Sequence, residues 1–180
     1  MNTFDIWEYL GSAQTPNKYT KSVKDILDWY GRKKIYDMDF HENKFGSAIK
    51  VTINNRYMIV YKSMSLNLDK YPCLIYFHGL GQSAWEAVFD DTNWKLLSNK
   101  NNFIVVYAMG TACGSNIDKR NGFNIKNPKE EYVYVKDMIK ELINNFDVDP
   151  SKIYLVGFSN GSMMVTITMV YHSEGNLTGY

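Results

Sequence analysis

The chain has 180 residues, of which 45% are apolar and 22% charged, and its formal net charge is +1. This length is sufficient for one domain with a hydrophobic core. The small net charge argues against strong attraction to nucleic acid or to an anionic membrane. No apolar run approaches the roughly 18 residues of a membrane span, and the N-terminus does not resemble a signal peptide, so we expect a cytoplasmic protein.

Residues 1–45 are interpreted as an N-terminal helical extension, and residues 46–180 as a partial α/β domain. Apolar clusters at 6–10 and 23–30 indicate two short helices in the extension. Residues 37–43 are expected to form a loop.

Beyond the extension, strand-like and helix-like segments follow one another. The predicted strands share short apolar runs and lie at 48–53, 57–61, 73–77, 103–107 and 153–156. Asn54 and Asn55 are expected to form a hairpin turn between the first two. Cys73 is interpreted as a small buried apolar residue, and two cysteines are too few for a disulfide framework.

Two helices are predicted between the later strands. Ser83 and Glu86 have the spacing of a capping box that opens the first helix. Asn127 is predicted to cap the second, with Pro128 at its first position and apolar residues at helical spacing from Val135 to Phe146. Residues 110–124 are interpreted as a surface loop, and Asp149-Pro150 is expected to break the chain before strand 153–156. Apolar strands alternating with helices predict an α/β fold, a mostly parallel sheet with helices on both faces.

The segment Gly157-Phe158-Ser159-Asn160-Gly161 directly follows a predicted strand and precedes a predicted helix. This is the layout of a nucleophile elbow, in which a tight turn lifts the serine hydroxyl above the end of a sheet. A Gly-x-Ser-x-Gly pentapeptide alone is weak evidence, because an ordinary serine N-cap after a strand has the same sequence. The context of strand, turn and helix favours the elbow.

A second motif, His78-Gly79-Leu80-Gly81, follows strand 73–77. In serine hydrolases a loop in this place supplies one oxyanion N–H, and the residue after the nucleophile supplies the other. Those donors would be Leu80 and Asn160. A glycine-rich turn without function would explain the motif alone, but its combination with the elbow favours a hydrolase.

Together these motifs resemble the α/β-hydrolase superfamily, and within it the branch of polyhydroxybutyrate depolymerases and feruloyl esterases. Residues 71–84, 102–107 and 149–161 carry the resemblance, which extends over about residues 45–171. It implies the N-terminal portion of an α/β-hydrolase fold. It also implies Ser159 as nucleophile, with Leu80 and Asn160 as oxyanion donors, and His78, Gly79, Gly81, Gly157 and Gly161 as motif support.

The sequence departs from the family pattern after the elbow, where the order Ser, Asp, His is expected. No Asp follows Ser159, and His172 and Glu174 are the only His and acidic residue there. If 160–171 is helical, His172 lies about 20 Å from Ser159 at about 1.5 Å per residue. A base needs hydrogen-bond reach of about 3 Å. His78 is assigned to loop structure and His41 to a surface loop, so we expect none of them to be the base.

The chain is therefore interpreted as truncated after the elbow. Strand 153–156 would keep an unpaired flank, which predicts self-association or pairing with a partner chain. No metal-ligand spacing or phosphate loop is present, so no metal or cofactor is expected.

Three functions remain open. The first is a serine hydrolase acting on small-molecule or polymer esters, with its Asp and His missing from this chain. The second is a catalytically inactive remnant or binding pseudoenzyme. The third is a peptidase of the same fold, because specificity lies in loops rather than in the fold.

Overall fold

The computed structural model describes residues 40–43, 46–64, 67–90, 94–113 and 120–173. The two helices predicted within 1–45 lie outside the described residues, and so does Glu174. The division into an extension and a partial domain therefore stays a prediction.

A six-stranded sheet forms the centre of the fold, in the order β1-β2-β3-β5-β4-β8. Its strands are β1 (Phe40–Asn43), β2 (Gly46–Ile53), β3 (Arg56–Ser63), β4 (Tyr71–Phe77), β5 (Ile104–Ala108) and β8 (Val148–Gly157). Strands β5, β4 and β8 run parallel, whereas β1, β2 and β3 pair antiparallel and join the rest through an antiparallel β3–β5 pair. A separate antiparallel hairpin consists of β6 (Thr111–Cys113) and β7 (Arg120–Gly122).

Helices cover both faces of the sheet, as the α/β prediction requires. They are α1 (Ala84–Asp90), α2 (Trp94–Asn101), α3 (Pro128–Asn145) and α4 (Asn160–Tyr171). Trp85 and Val88 of α1 are buried in one hydrophobic cluster, which lies against one face. Met138 of α3 and Met164 of α4 are buried in a second cluster on the opposite face.

Several local predictions are confirmed. Asn54 has φ 54° in the turn between β2 and β3, a left-handed conformation that asparagine tolerates. Ser83 Oγ accepts a hydrogen bond of 3.1 Å from the Glu86 N–H, which caps α1. Pro128 opens α3 as predicted, but the Asn127 side chain makes no capping hydrogen bond, so that part of the prediction is wrong. Cys73 is fully buried.

Three expectations of loop structure are wrong. Residues 40–43 form β1, because pairing with β2 supplies backbone hydrogen bonds that the polar sequence does not signal. The expected break at Asp149 and Pro150 lies inside β8, where the register with β4 shifts between Tyr71 and Cys73. The segment 110–124 contains the β6–β7 hairpin, and its penultimate residue, Phe123, is buried, so it is not simply a surface loop.

Strand β8 lies at the edge of the sheet, with β4 as its neighbour among the described residues. Tyr154 on this strand is 59% exposed, and Met163, Met169 and Val170 of α4 are also exposed. The predicted unpaired flank is therefore present in the described part of the chain. In that same part, no helix combines the length and the apolar character needed to cross a membrane.

Strand β4 is the point at which the chain changes direction across the sheet. From β4 the chain passes through α1 and α2 to β5 on one side, and later through α3 to β8 on the other. In parallel α/β sheets such a switch leaves a crevice at the carboxyl ends of the strands, where ligands bind. A ligand-binding site is therefore expected at the carboxyl ends of β4 and β8.

Candidate active site

Both sequence motifs meet at this switch point. Phe77, the last residue of β4, is paired with Gly157, the last residue of β8. The Phe158 N–H donates a hydrogen bond of 3.1 Å to the Phe77 carbonyl. The loop that begins at His78 and the turn that contains Ser159 thus leave the sheet side by side.

Ser159 occupies the turn between β8 and α4 in a strained conformation. Its φ is 52° and its ψ is −116°, and a non-glycine residue in this region of backbone space costs about 1–3 kcal/mol. Its side chain is exposed and makes no capping hydrogen bond to α4. A simple N-cap serine would use its hydroxyl to bind the helix N–H groups. The geometry therefore favours an elbow that presents the hydroxyl to solvent.

Gly157 and Gly161 permit the close contact that this turn requires. A Cβ at Gly161 would lie 2.0 Å from the Phe77 carbonyl oxygen, and a Cβ at Gly157 would lie 2.2 Å from the Gly161 carbonyl oxygen. Both obstacles are backbone atoms, which cannot rotate away. Glycine at these two positions lets α4 start directly against the ends of β4 and β8.

The loop after β4 fixes the direction of the Leu80 N–H. In a trans peptide the carbonyl of one residue and the N–H of the next point in opposite directions. The Gly79 carbonyl contacts His78 Nδ1 at 2.8 Å and accepts the Gln82 N–H at 3.2 Å, while the Gln82 Oε1 accepts the Gly79 N–H at 2.8 Å. These bonds leave the Leu80 N–H facing away from the loop interior. Sequence reasoning missed Gln82, although a polar residue directly after the glycines was a usable signal.

The Asn160 N–H is oriented in the same way at the start of α4. The carbonyl in its peptide unit belongs to Ser159 and accepts the N–H groups of Ser162 and Met163 at 2.9 and 3.4 Å. The Asn160 N–H therefore points out of the helix N-terminus, where backbone donors lack intrahelical partners. Among the described residues, neither the Leu80 nor the Asn160 N–H donates a hydrogen bond.

His78 is a buried structural residue. Its Nε2 accepts the Gly110 N–H at 3.0 Å, so the ring proton lies on Nδ1 and is donated to the Gly79 carbonyl. Burial and, to a smaller extent, the positive charge of Arg56 lower the pKa of the imidazole from 6.5 to about 4, although the hydrogen bond to the Gly79 carbonyl acts in the opposite direction. The ring stays neutral at pH 7 with both nitrogens occupied, which is the loop-structure role expected from the sequence.

A buried ion pair joins β3 to α3, and the sequence did not predict it. The Arg56 Nη1 donates to Glu131 Oε2 at 2.8 Å, and the two side chains are 12% and 3% exposed. The same guanidinium lies 3.6 Å from the Tyr134 ring centroid and donates two hydrogen bonds to the Met109 carbonyl. Since Met109 directly precedes Gly110, the pair stabilises the backbone that His78 binds.

The structure does not bring a histidine base to Ser159. The α4 helix runs without interruption over the 12 residues between Ser159 and His172, a rise of roughly 18 Å. The His78 nitrogens are already bonded to backbone groups. His41 lies in β1, not in a loop, and its side chain lies outside the described residues. Neither described histidine ring, His78 or His172, is therefore placed to act as a base for Ser159.

The family profile described as phospholipase/carboxylesterase matches residues 64–179, more than half of the chain. The chain belongs to this family. The match covers β4 with its glycine-rich loop, the elbow and α4. The predicted resemblance to α/β-hydrolases of the esterase and depolymerase branch is thereby confirmed.

Curated relatives and solved structures agree with this assignment. An uncharacterized hydrolase of Acanthamoeba polyphaga mimivirus is 29% identical over 182 residues, covering 86% of this chain and 56% of the viral protein. Poly(3-hydroxyalkanoate) depolymerase C of Paucimonas lemoignei is 32% identical over 100 residues, covering 53% of this chain and 23% of the depolymerase. The acetyl xylan esterase from Aspergillus awamori superposes with a TM-score of 0.57 at 21% identity, covering 72% of this chain and 48% of that structure.

In all three comparisons this chain matches only part of the other protein. The chain spans 56% of the viral hydrolase and smaller fractions of the other two proteins. The predicted α/β-hydrolase fold class is confirmed for the portion that the family members have in common.

Proposed function

We propose that this protein is a serine hydrolase of carboxylic esters, with Ser159 as nucleophile and the N–H groups of Leu80 and Asn160 as the oxyanion hole. The observation that carries the proposal is that Ser159 lies on a strained turn with φ 52° and is exposed, and that its hydroxyl does not cap α4. The two backbone amides beside that turn donate no hydrogen bond within the described residues. A hydroxyl beside two unpaired donors can attack an acyl carbon and stabilise the resulting oxyanion.

The reaction would proceed in two transfers. The Ser159 oxygen forms a bond to the acyl carbon while its proton passes to a base, and the carbonyl electron pair becomes the oxyanion. Collapse expels the alcohol, which takes up the proton, and leaves an acyl-serine. Water then attacks the acyl carbon while one of its protons passes to the base, the bond between the acyl carbon and the Ser159 oxygen breaks, and that oxygen takes up the proton as the acid is released. Donors fixed in advance lower the free energy of both tetrahedral intermediates.

The substrate class is proposed from the chemistry of the relatives. The matched depolymerase is named for a polymeric ester, poly(3-hydroxyalkanoate), and the family is described as phospholipase/carboxylesterase. We therefore propose a small-molecule or polymer carboxylic ester.

The Asp and His of the triad are proposed to come from sequence outside these 180 residues, either on the same polypeptide or on a partner chain. The motivation is the separation of His172 from Ser159 and the occupied ring of His78. The exposed edge of β8, with Tyr154 exposed beside it, is the surface proposed for association with such a segment or with a second copy.

Because no histidine among the described side chains is placed as a base, a second candidate is a catalytically inactive remnant or binding pseudoenzyme that retains the fold. Turnover of short acyl 4-nitrophenyl esters by the chain, alone and with any copurifying partner, separates the two. The ester hydrolase predicts turnover that disappears in Ser159→Ala and survives in Ser173→Ala, a matched change at an exposed serine. Turnover that is absent, or equal in Ser159→Ala, favours the remnant. Cleavage of peptide amides but not esters would support the peptidase.

A further inference from the structure

We propose that residues 121–124, which we call the strap, are a positioning element that holds the two oxyanion amides at a fixed separation. The inference rests on the proposed oxyanion hole and assigns a role to residues outside both sequence motifs. The strap begins at the end of β7 and runs towards α3. It contacts the two loops that carry the donors.

The first contact joins the strap to the glycine-rich loop. The Gly81 N–H donates a hydrogen bond of 2.7 Å to the Asn121 carbonyl. Gly81 directly follows Leu80, so this bond fixes the peptide unit next to the first proposed donor. The loop is thereby held on both sides of Leu80. His78 and Gln82 bind Gly79, which precedes Leu80, and the strap binds Gly81, which follows it.

The second contact joins the strap to the elbow through a side chain. Asn160 Nδ2 donates to the Phe123 carbonyl at 3.0 Å, and the Phe123 N–H donates to Asn160 Oδ1 at 2.7 Å. A primary amide that makes both bonds to one residue reproduces the pairing of two backbone strands, which fixes its orientation. The residue whose N–H is the second proposed donor therefore uses its side chain to bind the strap.

The strap is itself fixed to the core. The Phe123 side chain is 1% exposed and lies 5.0 Å from the His78 ring and 5.3 Å from the Phe77 ring, centroid to centroid. The Asn124 N–H donates to Glu131 Oε1 at 2.9 Å, and Glu131 is held by Arg56. Phe77 and Glu131 thus anchor the strap at points outside the two loops that it joins.

This arrangement has a catalytic consequence. Oxyanion donors act because they are placed before charge develops, and misplacement by about 1 Å can reduce rates by about 100-fold. Loss of the Asn160 side chain keeps its backbone N–H but frees the elbow from the strap. We expect kcat to fall about 10- to 100-fold while KM changes little, because the lost interaction acts in the transition state.

The test compares Asn160→Ala and Asn160→Asp with Asn145→Ala in the full chain. Asn145 makes a surface hydrogen bond to Glu141 and is the matched control. Amide hydrogen exchange, followed by NMR, reports on the Gly81 and Phe123 N–H groups without any need for turnover. We expect both to exchange at least about tenfold faster in Asn160→Ala and to keep wild-type rates in Asn145→Ala. Asn160→Asp still accepts the Phe123 N–H, so Gly81 should lose less protection there.

Unchanged Gly81 exchange in folded Asn160 variants would overturn the proposal. So would an unchanged kcat in an active protein whose Gly81 exchange has increased. If Asn160→Ala does not fold, Asn160→Asp decides alone, and wild-type exchange at Gly81 in that variant would overturn the proposal. Failure of the proposed function gives a different result, namely turnover that is absent or independent of Ser159, whereas the exchange comparison is unaffected.

Discussion

His78 and Gly110 are joined by a hydrogen bond of 3.0 Å in which the ring Nε2 accepts the backbone N–H. This bond can exist only while the imidazole is neutral, because a protonated ring has no acceptor. The glycine-rich loop therefore depends on a histidine that must not be charged.

Acid should destabilise the protein through this residue. Burial lowers the folded-state pKa of His78 from 6.5 to about 4. The unfolded chain therefore binds more protons between these values, and stability falls as the pH is lowered from about 6.5 to about 4. The full loss would be about 3 kcal/mol. Urea unfolding across this range should show a smaller pH slope in His78→Gln than in the wild type. Equal slopes in both proteins would contradict the assignment.

Replacing one partner of the Arg56–Glu131 pair should lower the free energy of unfolding more than replacing both partners together. Glu131→Gln leaves the guanidinium without its charged partner in a site where both side chains are largely buried. We expect a loss of about 3–5 kcal/mol in the free energy of unfolding. The double variant Arg56→Met with Glu131→Gln should lose less than the sum of the single variants. Glu130→Gln, at an exposed neighbour, should change stability by less than about 0.5 kcal/mol. An additive double variant would show that the two residues do not interact.

Gly161→Ala should destabilise a helix that alanine would ordinarily favour. Alanine in place of glycine inside a helix usually adds about 1 kcal/mol. Here the new Cβ would lie 2.0 Å from the Phe77 carbonyl oxygen. We expect the backbone to shift at a net loss of about 1–3 kcal/mol, measured by urea unfolding. Thr166→Ala, at an exposed position on α4, is the control for helix propensity. A gain in stability in Gly161→Ala would refute the close contact.

The free edge of β8 should make the isolated chain self-associate at high concentration. Tyr154 is 59% exposed on this edge strand, and a lysine there is a common way to block edge-to-edge pairing. Light scattering should therefore show weaker association for Tyr154→Lys. Leu68→Lys makes the same charge change at another exposed apolar residue and should leave association unchanged. A wild-type chain that stays monomeric at high concentration would contradict the prediction.

The sequence predicted those elements whose signals are local. The apolar runs of β4 and β5 and the Ser83 capping box needed no distant partner, and their structures agree with the predictions. Strand β1 could not be predicted, because its stability comes from pairing with β2 and not from its own residues. Similarly, the Asp149–Pro150 segment stays within β8 as an irregularity because β4 pairs on both sides of it.

In the candidate site, too, the residues with local sequence signals were predictable and those brought in from distant segments were not. The motif residues at 78–81 and 157–161 were recognisable because they are contiguous in the chain. Gln82 had a local signal that was overlooked. The remaining contacts involve Arg56, Glu131 and Phe123. These residues lie far in the sequence from the groups that they bind, and no spacing rule connects them.

Reaction with a fluorophosphonate, followed by mass spectrometry of the peptide that contains Ser159, tests directly whether Ser159 is the nucleophile. We expect one phosphonyl adduct on Ser159 in the folded protein, alone or with its partner segment added. That adduct should be absent in Ser159→Ala and present in Ser173→Ala. A folded protein that gains no adduct under either condition, or gains it at another serine, would contradict the assignment of Ser159 as the nucleophile.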